Sequence, residues 1–288
     1  MILTEELLDR IKRCELRLLE GFISVCSDLK LTYYVAYGTA LGAVRHKGFI
    51  PWDDDVDVMM PRQDYKIFLE RGQTLLSKFG GYFLQTIDTD PQYYQFYAKV
   101  RDSNTTFIEK VVSDRKMNHG VFMDIFPIDY FPANALRKKY VLWLNYPRHL
   151  RTELFERKAQ SNHPLLKDIL QRMLSMAYPK VDNMIHAHDV FLEKIPESDT
   201  MIDYSGCGLQ GSYTFPFACL GDGCIGKFEH LEVMLPHDYD CYLRYMYGDY
   251  MKLPPKEQQI PHHYCDIIDL EKPFTFYEET FEQKNKTA

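Results

Sequence analysis

The sequence has no excess of positive charge: 34 Lys and Arg stand against 41 Asp and Glu, a net charge of −7. Nucleic-acid affinity rests mainly on cations that release condensed counterions, so nucleic acid is not an expected partner. Nor is there any run near the roughly 18 apolar residues of a membrane helix. The start, Met1-Ile2-Leu3-Thr4-Glu5-Glu6, lacks the basic beginning and apolar centre of a signal peptide. These absences predict a cytoplasmic chain. Cysteine is sparse and odd in number: Cys14, Cys26, Cys207, Cys219, Cys224, Cys241 and Cys265 are scattered along a chain too long to need staples. Reduced thiols are therefore expected. Internal repeats and linker-like stretches are missing as well. The expectation is one catalytic unit over 1–288, with a core in 1–130, a helical and loop-rich lobe in 131–272 and a frayed tail in 273–288. An apolar fraction of 45% with 26% charged residues supplies the packed core that this requires.

Leu7, Ile11, Cys14, Leu18, Phe22, Val25 and Leu29 recur at helical spacing behind Thr4, a residue suited to cap a helix, so a helix is predicted from Thr4 to Leu29. Tyr33 to Ala36 reads as a strand, Gly38-Thr39 as a turn, and Ala40 to Arg45 as a short helix. A second strand is expected at Val56 to Met59, closed by Pro61, then a helix stopped by Gly80-Gly81. Three further strands are expected at Tyr82 to Ile87, Tyr94 to Arg101 and Val121 to Phe126. The pattern turns helical from Pro132 to about Lys194. Six glycines crowded between Gly206 and Gly226 then imply turns, and a last helix runs from Asp238 to Tyr247 with Gly248 as its cap. The fold class is α+β, a mixed sheet flanked by helices.

The chemistry concentrates in Trp52-Asp53-Asp54-Asp55-Val56-Asp57-Val58. Residues two apart on a strand share a face, so Asp55 and Asp57 can offer both carboxylates to one hard cation. Val56, Val58 and Met59 say that the segment enters the core, where carboxylates need a counter-charge. A calcium loop starting at Asp53 would need glycine sixth and glutamate twelfth, where Val58 and Asp64 stand. Upstream, the backbone N–H groups and hydroxyl of Gly38-Thr39 at a helix start suit a phosphate. A third carboxylate, to bind metal or accept a proton, is expected at Asp124 in the apolar run Val121 to Phe126, with Asp129 as its competitor.

The run Tyr37-Gly38-Thr39-Ala40-Leu41-Gly42-Ala43-Val44-Arg45-His46-Lys47-Gly48-Phe49-Ile50-Pro51-Trp52-Asp53-Asp54-Asp55-Val56-Asp57 resembles the signature of the LicD family, shared more distantly with fukutin-related proteins. The resemblance continues through Lys99-Val100-Arg101-Asp102, Gly120 to Asp129, and Tyr247-Gly248-Asp249-Tyr250 with Pro254. It implies a nucleotidyltransferase-like fold. It also implies Mg²⁺- or Mn²⁺-dependent transfer of phosphocholine, or a similar phospho-alcohol, from CDP-choline or another CDP-alcohol. The acceptor would be a hydroxyl of a surface glycan of lipopolysaccharide, teichoic acid or capsule type, with CMP released. On this resemblance Asp55, Asp57 and Asp124 are metal ligands and catalytic residues. Gly38, Thr39, Arg45, Lys99 and Arg101 face the donor phosphates, and His46 and Lys47 join Arg45 in a basic cluster. His262 and His263 lie near the end of the resemblance and are further candidates.

Other signals read as background. Gly221 to Gly226 fits a dinucleotide glycine pattern without the surrounding strand-helix-strand unit. Cys207, Cys219, Cys224 and His230 match no standard zinc spacing. Tyr93 to Tyr97 is dense enough for an aromatic cage around a quaternary ammonium, although core packing accounts for most aromatics. Residues 137–151 carry five Lys or Arg, no acid and three interleaved aromatics, a composition suited to contact with an anionic membrane or a lipid-linked acceptor. Rival readings are nucleotidyl transfer releasing pyrophosphate, and a pseudoenzyme that binds glycan or choline without catalysis.

Overall fold

The computed structural model describes residues 4–113, 115–143, 189–204, 213–261 and 263–278. Helix α1 (Glu5–Leu29) begins as its sequence dictates: the Thr4 hydroxyl accepts the Leu7 N–H at 3.2 Å, and Glu5 and Glu6 lie in the first turn. It ends on Lys30 in the left-handed conformation. Its apolar stripe of Ile11, Leu18, Leu19, Phe22 and Val25 is buried against the central sheet and against α3. Lys12 and Glu15 are buried on that same face.

Strand β1 (Tyr34–Val35) leads into α2 (Tyr37–Arg45), then β2 (Asp57–Pro61), α3 (Arg62–Leu76), β3 (Tyr82–Gln85), β4 (Ala98–Asp102), β5 (Thr106–Glu109) and β6 (Val121–Tyr130). The sheet order is β1-β2-β6-β4-β3. The β2–β6 pairing is parallel and the others are antiparallel. Ten residues long and buried along most of its length, β6 is the spine. Val58, Met59 and Met60 of β2 and Met123 and Ile125 of β6 are at most 1% exposed, which is why this stretch reads as a nearly continuous apolar run.

The second half adds strands to the sheet. Strands β7 (Thr200–Asp203) and β8 (Thr214–Pro216) extend the same sheet, β7 pairing with the last three residues of β6. Strands β9 (Cys224–Phe228) and β10 (Leu231–Leu235) form a hairpin that packs on α2 and β1. The Gly221 to Gly226 run is the entry to that hairpin, with Gly221 and Gly223 at positive φ, so the dinucleotide pattern is a turn. Asp238 caps α4 (Tyr239–Tyr247) by accepting the Cys241 N–H. Strand β11 (Cys265–Asp269) pairs with β5, a strand not anticipated because Thr106 to Glu109 is too short to show alternation.

The expected helical stretch is described only at its two ends, and two other expectations change. Helix is present at residues 135–143 and 189–192, and the span between them, including 144–151 of the basic-aromatic segment, lies outside the described residues. The start of the tail is anchored rather than frayed, since the Tyr277 hydroxyl donates to Asp269 at 2.7 Å and Phe274 packs on His119. Cys219 and Cys241 are joined as a disulfide with their Cα atoms 6.0 Å apart, so uniformly reduced thiols are not what the structure holds. Cys224 bonds the Pro236 carbonyl, and Cys207 lies outside the described residues. Among the described residues no helix is long and apolar enough to cross a membrane.

Candidate active site

Strand register builds the site. Asp57 of β2 is the Cα partner of Asp124 of β6, and Asp124 is the partner of Lys99 on β4. Register partners on adjacent strands share a face, so two carboxylates and an ammonium form one row across three strands. The backbone fixes the first two: the Asp124 N–H donates to the Val56 carbonyl at 2.9 Å, and the Asp57 N–H donates to the Thr39 hydroxyl at 2.8 Å. Lys99 Nζ donates to Asp124 Oδ1 at 2.7 Å with both side chains buried. The same ammonium lies 3.4 Å from the Phe122 ring centroid and 5.5 Å from that of Tyr97.

The loop carrying Asp53, Asp54 and Asp55 has little secondary structure of its own and is held from outside. Lys12 on α1 donates to the carbonyls of Ile50 and Pro51 at 3.0 and 2.8 Å. Asp54, 1% exposed, accepts the His263 backbone N–H at 3.0 Å, and its Oδ1 is 3.3 Å from His263 Nδ1. Gly38 leaves room for the Asp53 carboxylate, since a Cβ there would meet Asp53 Oδ2 at 2.5 Å and displace it. Tyr37 before it has φ of 43°, a conformation that aromatic residues seldom adopt. Two contacts hold it there: its N–H donates to the Tyr242 hydroxyl, and its own hydroxyl donates to Asp203 Oδ2 at 2.6 Å.

Negative charge exceeds its local compensation. Burial, then repulsion from Asp54, pushes Asp53 up to about 6 against the pull of Lys12 and His263. Burial and Asp53 push Asp55 up to about 7. Burial, Asp55 and Asp124 hold Asp57 well above the carboxylate range, Lys99 opposing. On α1, burial and then Asp55 and Asp54 raise Glu15, whose Oε2 is buried without a hydrogen-bond partner. Burial alone would lower His263, but Asp54, Glu109 and Asp55 raise it to about 10, so it is an imidazolium. Asp53 and Asp55 act on each other at close range, which favours a proton, or a cation in its place, between the two carboxyl groups. Among the described residues no three His, Cys, Asp or Glu side chains already close a metal shell. The oxygen-only donor set from Asp55, Asp57 and Asp124, with Asp55 and Asp57 held above the carboxylate range, fits a hard divalent cation.

The remaining expected residues divide. Gly38 and Arg45 line a cleft of about 600 Å³ together with Trp52, Asp53, Tyr247 and Gln258. Arg45 Nη1 donates to the Tyr250 carbonyl at 2.6 Å and Nε to His46 Nδ1 at 3.4 Å. Lys47 is exposed at the turn after α2, with φ of 62°. Thr39 is 2% exposed with its oxygen given to the Asp57 N–H, so it positions a carboxylate from beneath instead of facing a phosphate. Arg101 is wholly buried and donates to Gln85 and to the Gly120 carbonyl, placing it in the scaffold instead of on a phosphate. Asp129, the competitor of Asp124, accepts both prongs of Arg62 at 2.8 and 2.6 Å and stands outside the row. His262 lies outside the described residues. Sequence reasoning missed Lys12, Tyr37, Asp54 as the partner of His263, and Glu109. Lys12 and Glu15 left one legible signal, charge on the apolar stripe of an amphipathic helix.

Known proteins resemble this chain along most of its length. Residues 30–181 match the family described as "LicD/FKTN/FKRP, nucleotidyltransferase domain". The chain is 31% identical to the lipopolysaccharide cholinephosphotransferase LicD of Haemophilus influenzae over 258 residues, 86% of this chain and 92% of that protein. An uncharacterised Rickettsia prowazekii protein shares 50% identity over 34 residues, 12% of this chain and 13% of that one. With more than half the chain inside the family match and most of it aligned to a relative above 30% identity, this protein belongs to the LicD family.

Proposed function

We propose that this phosphotransferase moves phosphocholine from CDP-choline to a hydroxyl of a lipopolysaccharide-type glycan, releasing CMP. The single observation that carries the reading is the row Asp57–Asp124–Lys99 behind Gly38, in a chain that aligns along most of its length with a lipopolysaccharide cholinephosphotransferase. Asp55, Asp57 and Asp124 would hold Mg²⁺, which supplies charge neutralisation on the diphosphate oxygens.

The chain's own groups do the rest. The N–H groups of Gly38 and Thr39 in the first turn of α2 would receive the donor phosphate, and the missing Cβ of Gly38 leaves room beside Asp53. Trp52 and Tyr247 offer aromatic faces in the adjoining cleft for the cytosine. The acceptor oxygen forms its bond to the β-phosphorus as the bond to CMP breaks, and its proton passes to Asp124 Oδ2, since Oδ1 is held by Lys99. The site therefore works by positioning and charge rather than by a covalent nucleophile.

The test is to follow CMP and pyrophosphate release from CDP-choline, CDP-glycerol, CDP-ribitol and CTP with and without Mg²⁺. CMP released from CDP-choline only with the metal supports the reading. Pyrophosphate from CTP, or no release from any donor, defeats it.

A further inference from the structure

The carboxylate row has an opening at each end. At the β2 end lies the 600 Å³ cleft that includes Gly38 and Asp53. At the β4 end, past Lys99, lies a second pocket of about 320 Å³ lined by Tyr94, Gln95, Tyr97, Glu109 and Tyr264. In-line displacement at phosphorus places attacking and leaving oxygens on opposite sides. With CMP leaving toward the Gly38 cleft, the attacking hydroxyl has to arrive from the far end of the row.

We propose that the 320 Å³ pocket is the acceptor subsite and takes one uncharged pyranose ring of the glycan. This rests on the transfer reaction set out above and goes further by saying where the second substrate binds and what it is. Two features choose the ligand class. Each cation at the pocket wall faces a carboxylate of the chain: Lys99 faces Asp124 at 2.7 Å, His263 faces Asp54 at 3.3 Å, and Arg101 Nη2 faces Glu109 Oε2 at 3.7 Å. Arg101 Nη2 is buried without a hydrogen-bond partner among the described residues, which leaves a donor for a sugar hydroxyl. The pocket therefore selects neither an anion nor a cation. A quaternary ammonium is further disfavoured because Lys99 Nζ already stands 5.5 Å from the Tyr97 ring centroid. What remains is tyrosine surface for the apolar face of a sugar, with the Gln95 amide and Glu109 carboxylate for its hydroxyls. The volume is at the small end of ligand pockets, which begin at about 300 Å³, so it suits a single ring and not an oligosaccharide.

The experiment uses the full chain with saturating CMP and Mg²⁺ and a panel of methyl pyranosides, read by saturation-transfer NMR. At least one glycoside is expected to bind alongside CMP. Gln95→Ala and Tyr264→Ala, the latter at a side chain 67% exposed whose loss the fold tolerates, should each weaken it fivefold or more. Neither change should alter CMP affinity. Displacement of the glycoside by CMP, absence of any glycoside binding, or weaker CDP-choline binding in the two variants would each overturn the assignment. CMP release from CDP-choline to water reports on the reaction separately. Release without glycoside binding removes the subsite and keeps the reaction, and glycoside binding without release does the reverse.

Discussion

Strand β6 carries two buried carboxylates, Asp124 and Asp129, an odd number of residues apart and so on opposite faces. Asp129 meets a bidentate guanidinium, that of Arg62, and its charge is answered inside the fold. Asp124 joins Asp53, Asp54, Asp55 and Asp57, against which the described residues set Lys12, Lys99 and His263 at close range. The pair near Arg62 is a finished structural unit, while the row near Lys99 is left short of positive charge. In a folded protein that shortfall costs stability, so its persistence marks the place where something charged is meant to bind.

Neutralising one member of each set should separate them most sharply. Asp57→Asn is expected to reduce turnover on the order of 10³-fold or more, the scale of charge-stabilising groups in phosphoryl transfer. It should leave the melting temperature of the metal-free protein unchanged or higher, because a buried repulsion is removed. A lower melting temperature would mean that Asp57 is a packing residue. Arg62→Met should do the opposite, lowering stability by about 3–5 kcal/mol in urea unfolding by stranding Asp129. If Asp129 is the true third carboxylate, that variant would instead lose Mg²⁺ dependence.

Proton linkage offers a second way to contrast them. Asp53 and Asp55 are raised to about 6 and about 7, so between pH 4 and 7 the folded state binds more protons than the unfolded one. Stability of the metal-free protein should therefore fall as pH rises through that window. His263, raised to about 10, gives a stabilisation present in full below about pH 6.5 and lost as pH climbs toward 10. Mg²⁺ should consequently raise the melting temperature more at pH 8 than at pH 5. An equal rise at both pH values would show that the metal does not replace protons at these carboxylates.

Smaller effects should come from the residues that hold the row. Lys12→Met should weaken Mg²⁺ binding by about 10-fold, as loss of outer-shell support usually does, with Lys12→Arg restoring part of it. Isothermal titration would detect this, and unchanged affinity would reduce Lys12 to a packing role. Thr39→Val, which strands the buried Asp57 N–H, should lower stability by about 1–3 kcal/mol.

Much of the site was legible because its parts are local. The Asp-x-Asp spacing, the glycine turn and the apolar strands around Asp55, Asp57 and Asp124 all sit in short windows where residue type and period carry the meaning. Long α1 was legible for the same reason, with Thr4 and the apolar stripe marking its bounds. The second half was not. Strands β7 and β8 are three or four residues each, and nothing in so short a run announces that it will pair with the far end of β6. Arg101 and Thr39 were assigned to phosphate because sequence shows a charge or a hydroxyl but not whether a neighbour has already taken it.

By itself, then, the sequence determined the fold class, the acidic loop and the family, since each depends on patterns within a few tens of residues. Only the tertiary structure decided that Asp124 stands in the row and Asp129 outside it. It alone decided that Lys12 and His263, from opposite ends of the chain, clamp the acidic loop. Those outcomes depend on strand order and on which partner reaches a buried charge first, and neither is a property of any local segment.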